Sequence, residues 1–395
     1  MKKAQGYIFC RSDVLLITIS MFSFFTITQN LYPISINRVL VAFLAITLCI
    51  RNKYRKLTMR VVLYMLILLI YTCGVSKDIS LNIKDYIYYF VAVLMLLEFG
   101  NNNAIMELKK AYLKKESIID KITFLNFVII LIELVMPMCY STQWGERYFC
   151  GLTDTAHTMA AGLCLNLTFM LLYFEKIKFK LTNLIILGIY LIAIFSTGAR
   201  IFLIPCAILT YNYVSKKIGN KLVKRVFYGF AIIMFIVAFL KTGMYDKFMY
   251  AINDPYGNSS SFLESFTSGR SVFWLVDLKD YFESNFLQQV FGHGFDYIYR
   301  LNLSKVGMEI WAHNDFINLL ISVGLIGFMI YVIALWKMFS NLRYSLKIKE
   351  YILIVSYVAI PALLNGFYTY AHYMFSFYIF MLIIMNNKKN QYSNH

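Results

Sequence analysis

The stretch His313-Asn-Asp-Phe-Ile-Asn-Leu-Leu-Ile-Ser-Val-Gly-Leu-Ile-Gly-Phe-Met-Ile-Tyr-Val-Ile-Ala-Leu-Trp336 decides the fold. After Asp315 it carries no charge until Lys337. A helix needs about 20 apolar residues to cross the hydrocarbon core of a bilayer, so the stretch reads as a membrane helix with a polar mouth. Upstream lie Thr-Ser-Gly-Arg-Ser-Val-Phe-Trp (267–274), Val-Phe-Gly-His-Gly-Phe (290–295) and Trp-Ala (311–312). Arg270, His293, His313, Asn314 and Asp315 thus gather where a polar segment runs into an apolar helix.

The whole chain has the same character. Its 395 residues are 59% hydrophobic and 15% charged, with a mean hydropathy of +0.61. A soluble domain cannot hide that much apolar surface, so the chain reads as an all-α polytopic membrane protein. Twelve apolar runs are long enough, or nearly so, to span: Val14–Gln29, Ile34–Ile50, Thr58–Val75, Ile83–Leu97, Ile118–Pro137, Thr155–Phe174, Leu181–Phe195, Ala199–Val214, Val226–Leu240, His313–Trp336, Tyr351–Leu364 and Phe367–Met385. The first reads as a retained helix, with no cleavage site after it. The expected organisation is helices one to nine over residues 1–240, one long loop over 241–312, and helices ten to twelve with a tail over 313–395.

The loops orient this arrangement. With the N-terminus in the cytoplasm, 27 of the 38 Lys and Arg fall in inner segments and every inner loop is positive. This satisfies the positive-inside rule and places both termini in the cytoplasm of a multi-pass plasma-membrane protein. The formal charge of +17 is therefore a topology signal. The cations form no single face, which argues against nucleic acid as a partner. The other eleven, among them Arg38, Arg147, Arg200 and Arg270, fall on or near the outer side. Arg38 and Arg200 sit at the ends of apolar helices, where a charge either snorkels to the interface or faces a wet cavity.

The seven cysteines show no Cys-x-x-Cys and no metal spacing. Cys139 and Cys150 flank one expected outer loop, where a disulfide is open. In the long loop, Asn-Asp-Pro-Tyr-Gly-Asn-Ser-Ser-Ser (253–261) is turn-rich. Residues 270–286 then place Val272, Phe273, Leu275, Val276, Leu278, Tyr281 and Phe282 as an interfacial helix would. The loop's aromatic residues argue for packed structure.

Three constellations can meet at one membrane edge. One is Glu-Arg-Tyr-Phe-Cys-Gly-Leu-Thr-Asp-Thr-Ala-His-Thr (146–158), with Arg147, Asp154 and His157; a second is Ser-Thr-Gly-Ala-Arg (196–200); the third is the stretch from Thr267. Together they resemble the family of O-antigen ligases and O-antigen (Wzy-type) polymerases, over roughly the last two-thirds of the chain. The likeness lies in Ser-Gly-Arg…Trp, Gly-x-Gly-Phe and His-Asn-x-Phe followed by Gly-Leu-Ile-Gly, in that order. His157 departs from it, standing where the family tends to have Asn.

The resemblance implies a glycosyltransferase that needs no metal or other cofactor. Its donor would be an oligosaccharide on undecaprenyl pyrophosphate. A second lipid-linked repeat unit would be the acceptor in a polymerase of O-antigen or capsule, and lipid A core in a ligase. Membrane lipids, a flippase and a chain-length regulator are the implied partners. The residues suit that chemistry. Breaking an anomeric carbon–pyrophosphate bond puts negative charge on the leaving phosphates, and arginine can grip their oxygens in bidentate fashion. Arg200 and Arg270 are the expected phosphate ligands. His313 is the expected base for the attacking hydroxyl, or else a helix-start residue. Asn314 and Asn318, one turn apart, would orient sugar or histidine; Arg147 and Arg38 are further substrate contacts. His293, between two glycines, reads as a turn residue, and Gly324 and Gly327 as helix-packing positions. A transporter of lipid-linked sugars is the rival of another class. It is disfavoured because no internal repeat is visible.

Overall fold

The computed structural model describes residues 36–52, 56–143, 146–153, 155–177, 180–241, 270–345 and 348–369. The described residues are mostly helical. Among the described residues, four helices, Thr58–Val75, Ile79–Phe99, Ala156–Phe174 and Asp315–Arg343, are long and apolar enough to cross a membrane by length and composition. That is the make-up of a helical membrane protein. Ten of the twelve apolar runs fall in helices. The run Val14–Gln29 lies outside the described residues, as does most of Phe367–Met385. Exposed apolar residues such as Leu63, Ile67 and Ile70 along one helix need a lipid-like surrounding.

In chain order the helices are α1 (Ile36–Asn52), α2 (Lys56–Val75), α3 (Ile79–Phe99), α4 (Asn102–Val135), α5 (Ala156–Lys176), α6 (Leu181–Ser196), α7 (Arg200–Lys217), α8 (Lys221–Lys241), α9 (Arg270–Glu283), α10 (Phe286–Phe291), α11 (Tyr297–Val306), α12 (Asp315–Ser345) and α13 (Ile348–Leu364). The expectation of an all-helical chain is corrected at one place. Strands β1 (Tyr140–Gln143) and β2 (Glu146–Phe149) form an antiparallel hairpin, with Tyr140 opposite Phe149. Four-residue strands are too short to announce themselves by alternation.

The chain forms two compact units. The first takes in Arg38–Ala111 and the described part of Asp254–Ala371. At its centre α12 packs on α2, α3, α9, α10, α11 and α13. Local signals start its helices: Asp78 caps α3 by accepting from the Leu81 N–H at 3.0 Å, and Asn285 with Gln288 forms a capping box on α10. A buried aromatic cluster of Tyr86, Tyr89, Phe295, Tyr331 and Tyr368 fills the space beside α12, with ring centroids 5.6–6.4 Å apart. The Tyr89 hydroxyl donates to the Gly327 carbonyl at 2.7 Å.

Helix α12 is not continuous. Gly324 has φ 63° and ψ −171°, so two helical segments meet there. Gly324 therefore breaks the helix as well as packing it, since an added Cβ would come 2.5 Å from the Gly292 nitrogen. The carbonyls released by the break, of Ile321 and Ser322, accept from the N–H groups of His293 and Gly294, both at 2.9 Å. Gly327 does lie at a close contact, where an added Cβ would come 3.1 Å from Leu68 of α2.

The second unit takes in the described part of Tyr112–Asn253. Helices α5, α6 and α7 pack together there, with β2 against α5 and α6 and with α8 on α6. Thr155 caps α5, accepting from the Thr158 N–H at 3.2 Å. Buried Asn126 of α4 donates to Asn166 of α5 at 2.8 Å, a polar clamp between apolar helices.

Candidate functional site

In the first unit, two chain segments converge on the C-terminal end of α13. Arg270, the first residue of α9, is half-buried, and its guanidinium donates to the Leu364 carbonyl. Asn314 donates its amide to the Leu363 carbonyl at 3.1 Å. The last carbonyls of a helix lack partners within it and attract cations and donors. Arg270 and Asn314 meet that need from two directions. Trp274, one turn along α9, donates its indole N–H to the Ala312 carbonyl at 2.7 Å. Arg270 and the mouth of α12 are therefore held to one another.

Asn314 is the cap of α12. Its Oδ1 accepts from the N–H groups of Phe316 (3.0 Å) and Ile317 (3.2 Å). His313, just before it, has φ 51° and is the sole non-glycine residue with positive φ among the described residues. Histidine tolerates this region better than most side chains, but the conformation is uncommon and stores strain. Its ring is half-buried beside Trp311, with centroids 4.6 Å apart. Asn318, one turn into α12, is buried and donates to the Tyr368 hydroxyl. His313, Asn314, Asn318 and Arg270 are thus brought together around α12 and α13.

The Gly292–Asp296 turn is fastened from two sides. Besides its bonds to the α12 break, Phe295 N–H donates to the buried Oδ1 of Asn82 at 2.8 Å. Asp296 Oδ2 accepts from the N–H groups of Lys77 (3.0 Å) and Asp78 (3.2 Å) and from Arg300 (2.9 Å). Burial raises the Asp296 carboxyl, but the nearby Ser76 hydroxyl and donation from Lys77, Asp78 and Arg300 outweigh it and take the group below its ordinary value. His293 is buried in this turn, stacked on Tyr297 at 4.1 Å, with Nε2 2.9 Å from the Ser284 hydroxyl. Burial, opposed by Asp280 and aided by Arg300, lowers its pKa.

The second unit brings two of the three constellations together. Arg147 is exposed on β2 and lies over the Tyr140 ring at 5.4 Å. The next residue, Tyr148, packs on the turn before α7: a Cβ on Gly198 would stand 2.6 Å from the Tyr148 ring. Gly198 has φ 64°, and Thr197 Oγ1 accepts from the Ala199 N–H at 3.2 Å. Arg200 follows as the first residue of α7. Tyr148 and Cys150 also cluster with Ala156 at the start of α5. Cys139 and Cys150 are neighbours here, Cys150 N–H donating to the Cys139 carbonyl at 2.8 Å, and both are free thiols. Arg38 belongs to α1 in the first unit. The side chains of Arg38 and Arg200, and the whole of Asp154, lie outside the described residues.

Among the described residues, no three His, Cys, Asp or Glu side chains cluster as metal ligands. The chain matches no protein-family model and no curated protein.

Sequence reasoning missed Asn82, Asp296 and Tyr368. Asn82 lies one residue before the run Ile83–Leu97, beside Lys84 and Asp85, and carried no signal of its own. Tyr368 carried no signal, because its partners become visible only in the fold.

Proposed function

We propose that the chain is a membrane glycosyltransferase of the O-antigen or capsule polymerase type, joining repeat units carried on undecaprenyl pyrophosphate at the outer face of the bacterial plasma membrane. In this reading twelve helices span the membrane, both termini are cytoplasmic, and residues 241–312 lie outside.

The observation that carries the reading is the backbone of His313. The residue that the motif singles out as the base is also the one non-glycine residue with positive φ among the described residues. Strain of that kind concentrates where a side chain must be aimed. Support also comes from Arg270, which the bond to Leu364 holds beside the same helix mouth. A guanidinium keeps its charge throughout the accessible pH range. His313 takes the proton of the attacking sugar hydroxyl. Arg270 stabilises the departing lipid pyrophosphate, and the anomeric carbon inverts by direct displacement. Asn314 and Asn318 set the mouth of α12 behind His313. In the second unit, Arg200 and Arg147 meet the same class of ligand, a phosphate or a sugar, and Arg38 is a further contact of the first.

Deleting the gene in its native host and resolving the surface polysaccharide on a gel tests the reading. Loss of the ladder with a single capped repeat remaining is the expected result. Polymer accumulating on undecaprenyl pyrophosphate would instead mean the ligase reaction, the same chemistry with lipid A core as acceptor. An unchanged ladder would overturn the proposal.

One observation favours a second reading. A broken membrane helix such as α12 is a feature of transporters, whose unwound segments line the substrate path. Here the break is closed by the backbone of His293 and Gly294, which leaves its carbonyls satisfied by protein. A transporter of lipid-linked sugars remains the alternative that an unchanged ladder would bring forward.

A further inference from the structure

Asp315 is fully buried in the first turn of α12. One of its oxygens, Oδ2, is crowded with donors: the N–H groups of Phe367 (2.7 Å) and Tyr368 (3.2 Å) and the Tyr331 hydroxyl (3.2 Å). Three donors on one oxygen favour its charged form, which burial opposes. The start of a helix favours the same charge. The other oxygen, Oδ1, has no hydrogen-bond partner among the described residues. The ion pairs found there do not include Asp315. A buried charge without a counter-charge is costly, more so within a membrane helix.

Other buried polar atoms on the same two segments are bare as well. Asn318 Oδ1, both amide atoms of Asn365 and Thr369 Oγ1 are buried and also lack partners among the described residues. Asn318 and Asn365 are 4% and 1% exposed, so solvent does not satisfy them. Gly366 brings two of these groups, Asp315 Oδ1 and Thr369 Oγ1, to one place. A Cβ there would stand 3.1 Å from Asp315 Oδ1 and closer still to Thr369 Oγ1 and the edge of the Trp311 ring. The segment is unwound, since Asn365 and Gly366 both donate to the Pro361 carbonyl and Gly366 has φ 111°.

We propose that Asp315, Asn318, Asn365 and Thr369 hold a Na+ ion that fastens the mouth of α12 to the segment after α13. The donor set is one carboxylate with neutral amide and hydroxyl oxygens. A single negative charge balances a monovalent ion. Ca2+ takes six to eight oxygens, commonly with several carboxylates, and Mg2+ usually keeps several waters and is bound through one or two carboxylates plus phosphates. Unwound segments at the ends of membrane helices are where such ions are held by oxygen donors. The ion is structural: it neutralises Asp315 and fixes the turn that carries His313 and Asn314. The proposal does not rest on the glycosyltransferase reading, because its readout needs no sugar substrate.

The test is thermal unfolding of the purified full chain in lipid nanodiscs, with NaCl replaced stepwise by choline chloride at constant ionic strength. The expected result is a saturable rise in Tm of a few degrees with Na+, absent with choline, as binding to the folded state alone requires. Trp311 fluorescence should change over the same Na+ range. Asp315→Asn should abolish the response. Should that variant fail to fold, Thr369→Val carries the test: it removes one oxygen and keeps the shape, so the Na+ midpoint should move about tenfold upward, equivalent to one weakened ligand. A Tm that ignores Na+, one that follows pH alone, or an unchanged midpoint in Thr369→Val would overturn the proposal.

Discussion

Gly292 and Gly324 meet backbone to backbone: a Cβ on Gly324 would lie 2.5 Å from the Gly292 nitrogen, and one on Gly292 would lie 2.6 Å from the Gly324 nitrogen. Both have positive φ. Neither atom can give way, because both belong to main chain that is already hydrogen-bonded on either side. Gly324→Ala and Gly292→Ala should each cost on the order of 1–3 kcal/mol from conformational strain alone, before the clash is counted. Gly188→Ala and Gly229→Ala are the controls. Nothing stands within 4 Å of an added Cβ at either, so these helix positions should be neutral or gain up to about 1 kcal/mol. Thermal unfolding of the four variants in one detergent checks the contrast.

Asp277, on the inward face of α9, makes a prediction about pH. Its side chain is fully buried and neither carboxyl oxygen has a hydrogen-bond partner among the described residues. Burial pushes its pKa up to about 7, the nearby Asn302 amide opposing and Asp280 adding to the rise. In the unfolded chain an Asp titrates near 3.9. Between about pH 4 and pH 7 the folded state therefore holds a proton that the unfolded state has released. Stability should fall as pH rises across that window and level off above it. Asp277→Asn should flatten this slope, and Tm measured from pH 4 to 8 for both proteins tests it. Parallel curves would show that Asp277 ionises as it does in water.

Asp296 works in the opposite sense. Its carboxyl lies below its ordinary value. It therefore contributes stability that is present above about pH 4, the unfolded value, and lost as pH falls through the lower folded value. Asp296→Asn should weaken the acid limb of the same profile. Asn82→Ala, which removes the buried acceptor of the Phe295 N–H, should cost about 1–3 kcal/mol at every pH. A pH-dependent loss in Asn82→Ala would mean that the two attachments of the turn are not separate.

The helices were legible because apolar length announces them. Thr58–Val75 needed nothing beyond its composition, and α9 was legible as alternate faces of Val272, Phe273, Val276 and Tyr281. What stayed hidden depends on partners far along the chain. A glycine in an apolar run can pack a helix or break it, and at Gly324 the answer comes from backbone 30 residues upstream at Gly294. Asn82 gives no sign of its part until Phe295, 213 residues away, is seen to need it. Arg270 was singled out from Ser-Gly-Arg, yet its carbonyl partner Leu364 belongs to an apolar stretch that gives no hint of the bond. In the second unit, Tyr148 lay unremarked beside Arg147, although it supplies the contact that requires glycine at 198.

His313 allows the chemical role of a side chain to be separated from the strain of its backbone. Glycine adopts φ 51° at no steric cost, so His313→Gly removes the imidazole while relieving the strain. The variant should fold at least as well as the parent. If His313 is the base, glycan transfer should fall by about 10²–10⁴-fold, the usual worth of a positioned acid or base. Its pH dependence should also lose the limb that protonation of the imidazole imposes. His313→Asn tolerates the same backbone and keeps a polar group, and should be as inactive as glycine. The measurement is polymer formed per unit time by inserted protein, from a defined lipid-linked repeat, between pH 5.5 and 8. Glycine and asparagine variants that elongate at the parental rate would make His313 a turn residue that ends the loop and starts α12, and would move the search for a base to other groups at that helix mouth.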